Sequence, residues 1–191
     1  MTAQEFNQYW ELTYPETIPV SHYFKHDYTE RWLRIHSLPL AKRGPGNNKE
    51  WKILLDRQNT LITDLIGENG TFYLVLNEYC HEEQTGPMEK EEAYEKYQFT
   101  PLGRNDQEPD EEEGFVYKQE FSEQKWASGR FNDILKDIAE DNSRAFFMSI
   151  AGECIIAPYD GGMDIIVKDT DTRDRLKYKY KAWLSERGDG L

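Results

Sequence analysis

Ala157-Pro158-Tyr159-Asp160-Gly161-Gly162-Met163-Asp164-Ile165-Ile166-Val167-Lys168 is the stretch whose reading decides the fold. Proline and a glycine pair punctuate a turn. Met163 to Val167 then forms an apolar run of strand length. Two carboxylates frame the transition, Asp160 in the turn and Asp164 at the strand entrance. Turn chemistry predicts an Asx-type turn at Asp160 and a cap on backbone donors by Asp164. It also predicts positive φ at Gly161 and Gly162. The competing reading makes the two aspartates a binding pair for a cation or a basic side chain. A helix follows from about Thr170 to Ser185 and ends in Trp183 and Leu184.

Upstream, Arg144 to Ile150 alternates as a strand, Ala151-Gly152 turns tightly, and Glu153 to Ala157 pairs back as a hairpin. Ser128 opens a helix bearing Phe131, Ile134, Leu135 and Ile138, and Phe115 to Phe121 reads as a strand. The clearest helix spans about 48–66. Asn47 caps it, Glu50 occupies the box position, and Gly67 stands just past its end. Its stripe is Trp51, Leu54, Leu55, Gln58, Leu61, Ile62 and Leu65.

Thr71 to Tyr79 reads as a strand with Phe72, Leu74 and Leu76 on one side and Tyr73, Val75 and Asn77 on the other. Arg31 to Ser37 sets Leu33 and Ile35 against Trp32, Arg34 and His36. Thr2-Ala3-Gln4-Glu5 has capping-box form and precedes Phe6, Tyr9, Trp10 and Thr13 at helical spacing. Residues 14–30 read as an irregular packed segment.

Residues 80–114 break the periodicity with a charged run from Glu89 to Lys96 and the acidic Asp110-Glu111-Glu112-Glu113. They read as a charged flap or insertion with a short surface helix around Met88 to Tyr97. The whole, 1–191, is expected to be a single α+β domain. Its mixed or antiparallel sheet is packed by amphipathic helices.

Twelve Tyr, nine Phe and five Trp are too many for a disordered chain. The net charge of −13 argues against nucleic acid and anionic lipid as partners and is compatible with a basic protein. No apolar run approaches the roughly 20 residues of a membrane span. The first residues have no signal-peptide pattern. Cys80 and Cys154 are therefore expected as free buried thiols in a cytoplasmic protein.

His22 and His26 have helical metal-ligand spacing but lack a third ligand of convincing spacing, so neither a metal nor a cofactor is expected. No P-loop, nucleophile elbow or dinucleotide glycine fingerprint occurs. Arg34 and His36 share a strand face, and Glu78 ends another strand. Were those strands neighbours, Arg34, His36 and Glu78 would form an acid–base pocket.

A set of motifs recurs in order. Arg34-Ile35-His36 precedes an amphipathic helix, then come Leu74 to Tyr79 (Leu-Val-Leu-Asn-Glu-Tyr), Pro158 to Ile166, and a closing Tyr180-x-x-Trp183-Leu184. This resembles the bacterial family catalogued as domain of unknown function 3885. The resemblance implies an α+β fold and no established chemistry. Two function classes follow. One is a non-enzymatic interaction module, immunity or antitoxin-like. It would bind a basic partner through Asp160, Asp164, Asp110, Glu111, Glu112 and Glu113. The other is a small hydrolase or transferase working at Arg34, His36 and Glu78 or at the Asp160/Asp164 turn.

Overall fold

Asn47 shows how local chemistry starts the longest helix. In this computed structural model, which describes residues 1–84, 86, 88–106 and 114–185, its side chain accepts the backbone N–H groups of Lys49 (3.0 Å) and Glu50 (3.1 Å). These are two of the donors that a helix start leaves without partners. Helix α3 (Asn48–Ile66) follows and stops at Gly67, whose φ of +80° suits a residue without Cβ. The chain's first helix, α1 (Ala3–Thr13), likewise opens with a full Thr2/Glu5 capping box.

The remaining elements are α2 (Phe24–Asp27), β1 (Trp32–His36), β2 (Thr71–His81), α4 (Glu92–Glu95), β3 (Thr100–Asp106) and β4 (Phe115–Lys125). They are followed by α5 (Asn132–Ala139), β5 (Arg144–Ser149), β6 (Cys154–Tyr159), β7 (Gly162–Ile166) and α6 (Thr170–Lys179). The seven strands form one sheet in the order β1-β7-β6-β5-β2-β4-β3, and all neighbours pair antiparallel. The architecture is α+β.

Both faces of the sheet are covered, which is why its central strands are apolar on both sides. Leu33, Ile35, Phe72, Leu74, Phe147, Ile156, Met163 and Ile165 pack beneath α3, α5 and α6 through Leu61, Ile62, Ile134, Leu135 and Leu176. The opposite face carries Tyr73, Val75, Phe121, Phe146, Met148, Ile155 and Ile166. There Phe6, Trp10, Tyr14 and Phe24 close it, with the Phe6 and Phe121 rings 5.0 Å apart and Phe24 edge-on to Phe146 at 5.2 Å.

Several boundaries differ from the sequence expectations. The segment 80–114 contains an ordered edge strand, β3, and not loop alone. Pro101 is tolerated there because an edge strand need not donate every N–H, and a bulge separates Pro101 from Asn105. The last helix ends at Lys179, and a separate 3₁₀ turn, Lys181–Trp183, carries the chain on to Leu184. Cys80 and Cys154 are free and buried.

Leu61 is completely buried between α3 and the sheet. Leu61→Ala is expected to lower unfolding free energy by about 2–5 kcal/mol. Denaturant melts of the pair of proteins measure it, and a change under about half a kcal/mol contradicts this packing.

Candidate functional site

Register assembles the charged centre. Strand β1 is an edge of the sheet, and its antiparallel pairing with β7 places Arg34 opposite Asp164. Cross-strand partners point to the same face. Arg34 therefore meets the carboxylate in a fork, Nε to Oδ1 and Nη2 to Oδ2, both at 2.8 Å. The Trp32 indole N–H adds a third bond to Oδ1 at 3.0 Å. Arg34 also lies 4.8 Å from the Tyr159 ring centroid and 5.6 Å from that of Trp32. Only 12% of the Arg34 side chain and 9% of the Asp164 side chain are exposed, so the pair sits in a poorly solvated setting.

This overturns the turn-chemistry reading of Asp164. Its oxygens take side-chain donors from β1, and not the backbone at the strand start. Asp160 pairs with Arg43 at the surface, Nε to Oδ2 at 3.0 Å. The glycines also act differently from expectation, since neither Gly161 nor Gly162 has positive φ. A Cβ on Gly162 would lie 2.2 Å from the Ile35 carbonyl oxygen, and one on Gly161 would lie 2.8 Å from the Tyr159 ring. Close approach of β1 to the turn, and not a left-handed backbone, requires glycine here.

His36 ends β1 opposite Gly162 and is 8% exposed. Its ring hydrogen-bonds the Gly161 backbone, while Nε2 is buried without a partner. Burial, followed by the nearby Arg34 charge, pushes its pKa below the ordinary 6.5, and Arg57 adds to this. The ring is thus neutral near pH 7.

Arg57 reaches in from α3. Its Nη1 donates to the His36 carbonyl at 2.9 Å and its guanidinium lies 5.2 Å from the Trp183 ring centroid. Among the described residues no carboxylate pairs with it. Burial draws its pKa down from the ordinary 12.5.

These groups border a cleft of about 770 Å³ at the edge of the sheet. Among the described residues its charged lining is Arg34, Arg43 and Arg57, with no aspartate or glutamate. The apolar rim is the 3₁₀ turn Pro39–Ala41, where Leu40 is fully exposed. Leu40 and Ala41 both hold left-handed φ, +58° and +51°. Such a conformation is unfavourable for residues with a Cβ, by roughly 1–2 kcal/mol each. Trp183 and Leu184 form the facing wall.

Glu78 does not join this site. Strands β7, β6 and β5 separate β2 from β1. Glu78 also shares the parity of Phe72 and Leu74, which face α3, whereas Arg34 follows the parity of Trp32 on the other face. The acid–base trio expected from the sequence is therefore not assembled. His22 packs at a tilt against Tyr23 and Tyr117, with ring centroids 4.3 and 5.8 Å away, and His26 is exposed. Among the described residues no three His, Cys, Asp or Glu side chains gather as a metal group. Asp110, Glu111, Glu112 and Glu113 lie outside the described residues.

Sequence reading passed over Arg57 and named Trp183 only as part of the closing motif. One signal was present. The helical neighbours of Arg57 at ±3 and ±4 are Ile53, Leu54, Thr60 and Leu61, so no carboxylate can meet it along α3.

Removing one partner of a buried ion pair leaves the other charge uncompensated. Asp164→Asn is expected to destabilise by about 3–5 kcal/mol, while Arg34→Met with Asp164→Leu recovers most of the loss. A double-mutant cycle in urea measures this, and additive losses contradict it. His36 gives a second test. A histidine pKa depressed by folding contributes stability that is present above the unfolded value near 6.5 and lost as pH falls through the folded value. The fall in melting temperature from pH 7 to pH 5 should be smaller in His36→Gln than in the parent. An equal fall in both contradicts the burial argument.

The family model described as Domain of unknown function (DUF3885) matches residues 20–188, which spans β1 through the Trp183 turn. No curated protein and no solved structure matches the chain.

Proposed function

We propose, from the premise that the chain belongs to the DUF3885 family, that it is a non-enzymatic protein-interaction module, immunity or antitoxin-like, that binds a basic partner. One contact carries this reading. The Tyr94 hydroxyl bonds the Ser143 hydroxyl at 2.6 Å and so seats α4 beside the turn that ends α5. Exposed Glu89, Glu91, Glu92 and Glu95 come next to exposed Glu140 and Asp141 as a result. Of the two lysines in the run, Lys90 is turned inward to Glu120 at 2.6 Å, and Lys96 is exposed beside Asp133 at 3.8 Å, so the glutamates outnumber the exposed lysine. Binding through Asp110, Glu111, Glu112 and Glu113, which lie outside the described residues, remains part of this proposal.

The non-enzymatic reading is supported by the closed state of the charged centre. Arg34 and Asp164 satisfy each other in a two-bond fork, and Glu78 stands across the sheet. Hydrolase or transferase chemistry at Arg34, His36 and Glu78 has no geometry to support it.

Exposed charges steer association and are screened by salt. A tagged chain is expected to retain a basic protein from native lysate at low ionic strength and to release it at high ionic strength. Glu91→Gln, Glu92→Gln, Glu95→Gln and Glu140→Gln together should weaken retention of that same protein. Undiminished retention by this variant would remove the acidic face from the interface.

A further inference from the structure

The cleft at the β1 edge has an electrostatic character opposite to the rest of the molecule. The chain carries a net charge of −13, yet among the described residues the cleft lining holds three arginines and no carboxylate. Two of those arginines are neutralised from behind, Arg34 by Asp164 and Arg43 by Asp160. Arg57 is not. It uses one N–H on the His36 carbonyl and has no carboxylate partner among the described residues. Beside it the His36 Nε2 is buried and unpartnered in a residue more than nine-tenths buried.

We propose that this cleft binds a small organic anion. Its carboxylate or phosphate is held by the Arg57 guanidinium beside His36, and its apolar body lies against Leu40, Ala41 and Leu184. A guanidinium fork matches both oxyanions in shape and charge, and its bonds to them are charge-assisted. The volume of about 770 Å³ lies inside the range of small-molecule sites, about 300–1,000 Å³.

Three further observations narrow the class. Among the described residues the lining offers a cation no carboxylate. A polyanion such as nucleic acid would be repelled by the acidic body around the cleft, whereas a compact anion of one or two charges gains the local attraction with far less of that repulsion. The rim displays Leu40 fully exposed on a turn held in left-handed conformation, and strained turns of this kind concentrate where ligands are gripped. The inference is independent of the acidic-face reading, since the two surfaces use different residues.

The neutral imidazole fits this use. When an anion enters beside it, Nε2 gains an acceptor once protonated, and the new negative charge opposes the Arg34, Arg57 and burial effects that keep the ring neutral. The groups facing the ring are Arg34 and Asp164 on the strands, Arg57 on α3, and the Gly161 backbone at the turn. Binding should therefore strengthen as pH falls from 7 to 6.

The test is a titration of the whole chain by NMR, following the arginine Nε–Hε resonance that Arg57→Lys removes. The probes are phenyl phosphate, benzoate, inorganic phosphate and neutral phenol. The expected result is a saturable shift of the Arg57 resonance with phenyl phosphate or benzoate, at millimolar affinity or tighter. The stronger of the two identifies the oxyanion. Phenol should bind at least about tenfold more weakly, and Arg57→Gln should weaken the anion by about tenfold or more. Inorganic phosphate binding as tightly as phenyl phosphate would remove the apolar wall from the proposal. No shift of the Arg57 resonance with any anion at about 20 mM, beyond the weak end of the affinity scale, overturns it. Equal binding of phenol overturns it as well. The parent titration decides the matter even if Arg57→Gln folds poorly.

Discussion

A guanidinium and a carboxylate can share a dry interface only when each satisfies the other, and Arg34 and Asp164 do so across 130 residues of chain. Much at this edge of the sheet depends on that match. Strand β1 has a single strand neighbour, so its attachment rests on β7. A shift of one residue in that pairing would turn Arg34 toward Leu61 and Ile62 and bring Leu33 or Ile35 out beside Tyr159. The fork therefore specifies register, in a place where an edge strand of five residues has few other means to do so. Gly162 supports the same match from the backbone side, because any side chain there would strike the Ile35 carbonyl.

Once β1 is fixed, the cleft follows. The His36 carbonyl is held where Arg57 can reach it from α3, and the Tyr159 ring is held against Arg34. The C-terminal turn brings Trp183 over Arg57 from the other side. Four separate pieces of chain thus meet at one sheet edge. The acidic surface arises differently. It needs only that α4 and α5 be neighbours, and a hydroxyl pair ensures that. In the proposed reading the molecule carries an acidic face as well as the small basic hollow at the β1 edge.

The fold was largely legible because its elements announce themselves locally. Asn47, Glu50 and Gly67 bracket α3, and the Thr2/Glu5 box opens α1. Alternation in β1 and β2 correctly put Leu33 and Ile35 opposite Trp32, and Phe72 and Leu74 opposite Tyr73 and Val75. Strand order was not legible, since periodicity says which face a residue takes and not which strand lies beside it. That is why Arg34, His36 and Glu78 could be grouped on paper although three strands separate them. Asp164 was misread for the same reason. A carboxylate after a glycine turn has many local uses, and its true partner is 130 residues away. Gly162 was assigned to backbone conformation because the close approach of Ile35 belongs to tertiary structure, and Gly161 because the fold of the Tyr159 ring over the turn does not show in the sequence. Strand β3 was hidden by Pro101 and by its charged surroundings.

The position of β7 also governs the order in which the protein can be finished as it is made. Strands β2, β4 and β5 lie near one another in sequence and can pair as soon as they emerge. Strand β1 emerges before all of them and has no neighbour until β7 is synthesised. At roughly 5–20 residues per second, 130 residues correspond to about 7–26 s. Throughout that interval β1 lacks the strand that pairs with it, and Arg34 has yet to meet Asp164. The charge on Arg34 keeps the waiting strand from being uniformly apolar, which disfavours its pairing with other nascent chains. The residue that later sets register can thus also act as a gatekeeper during synthesis.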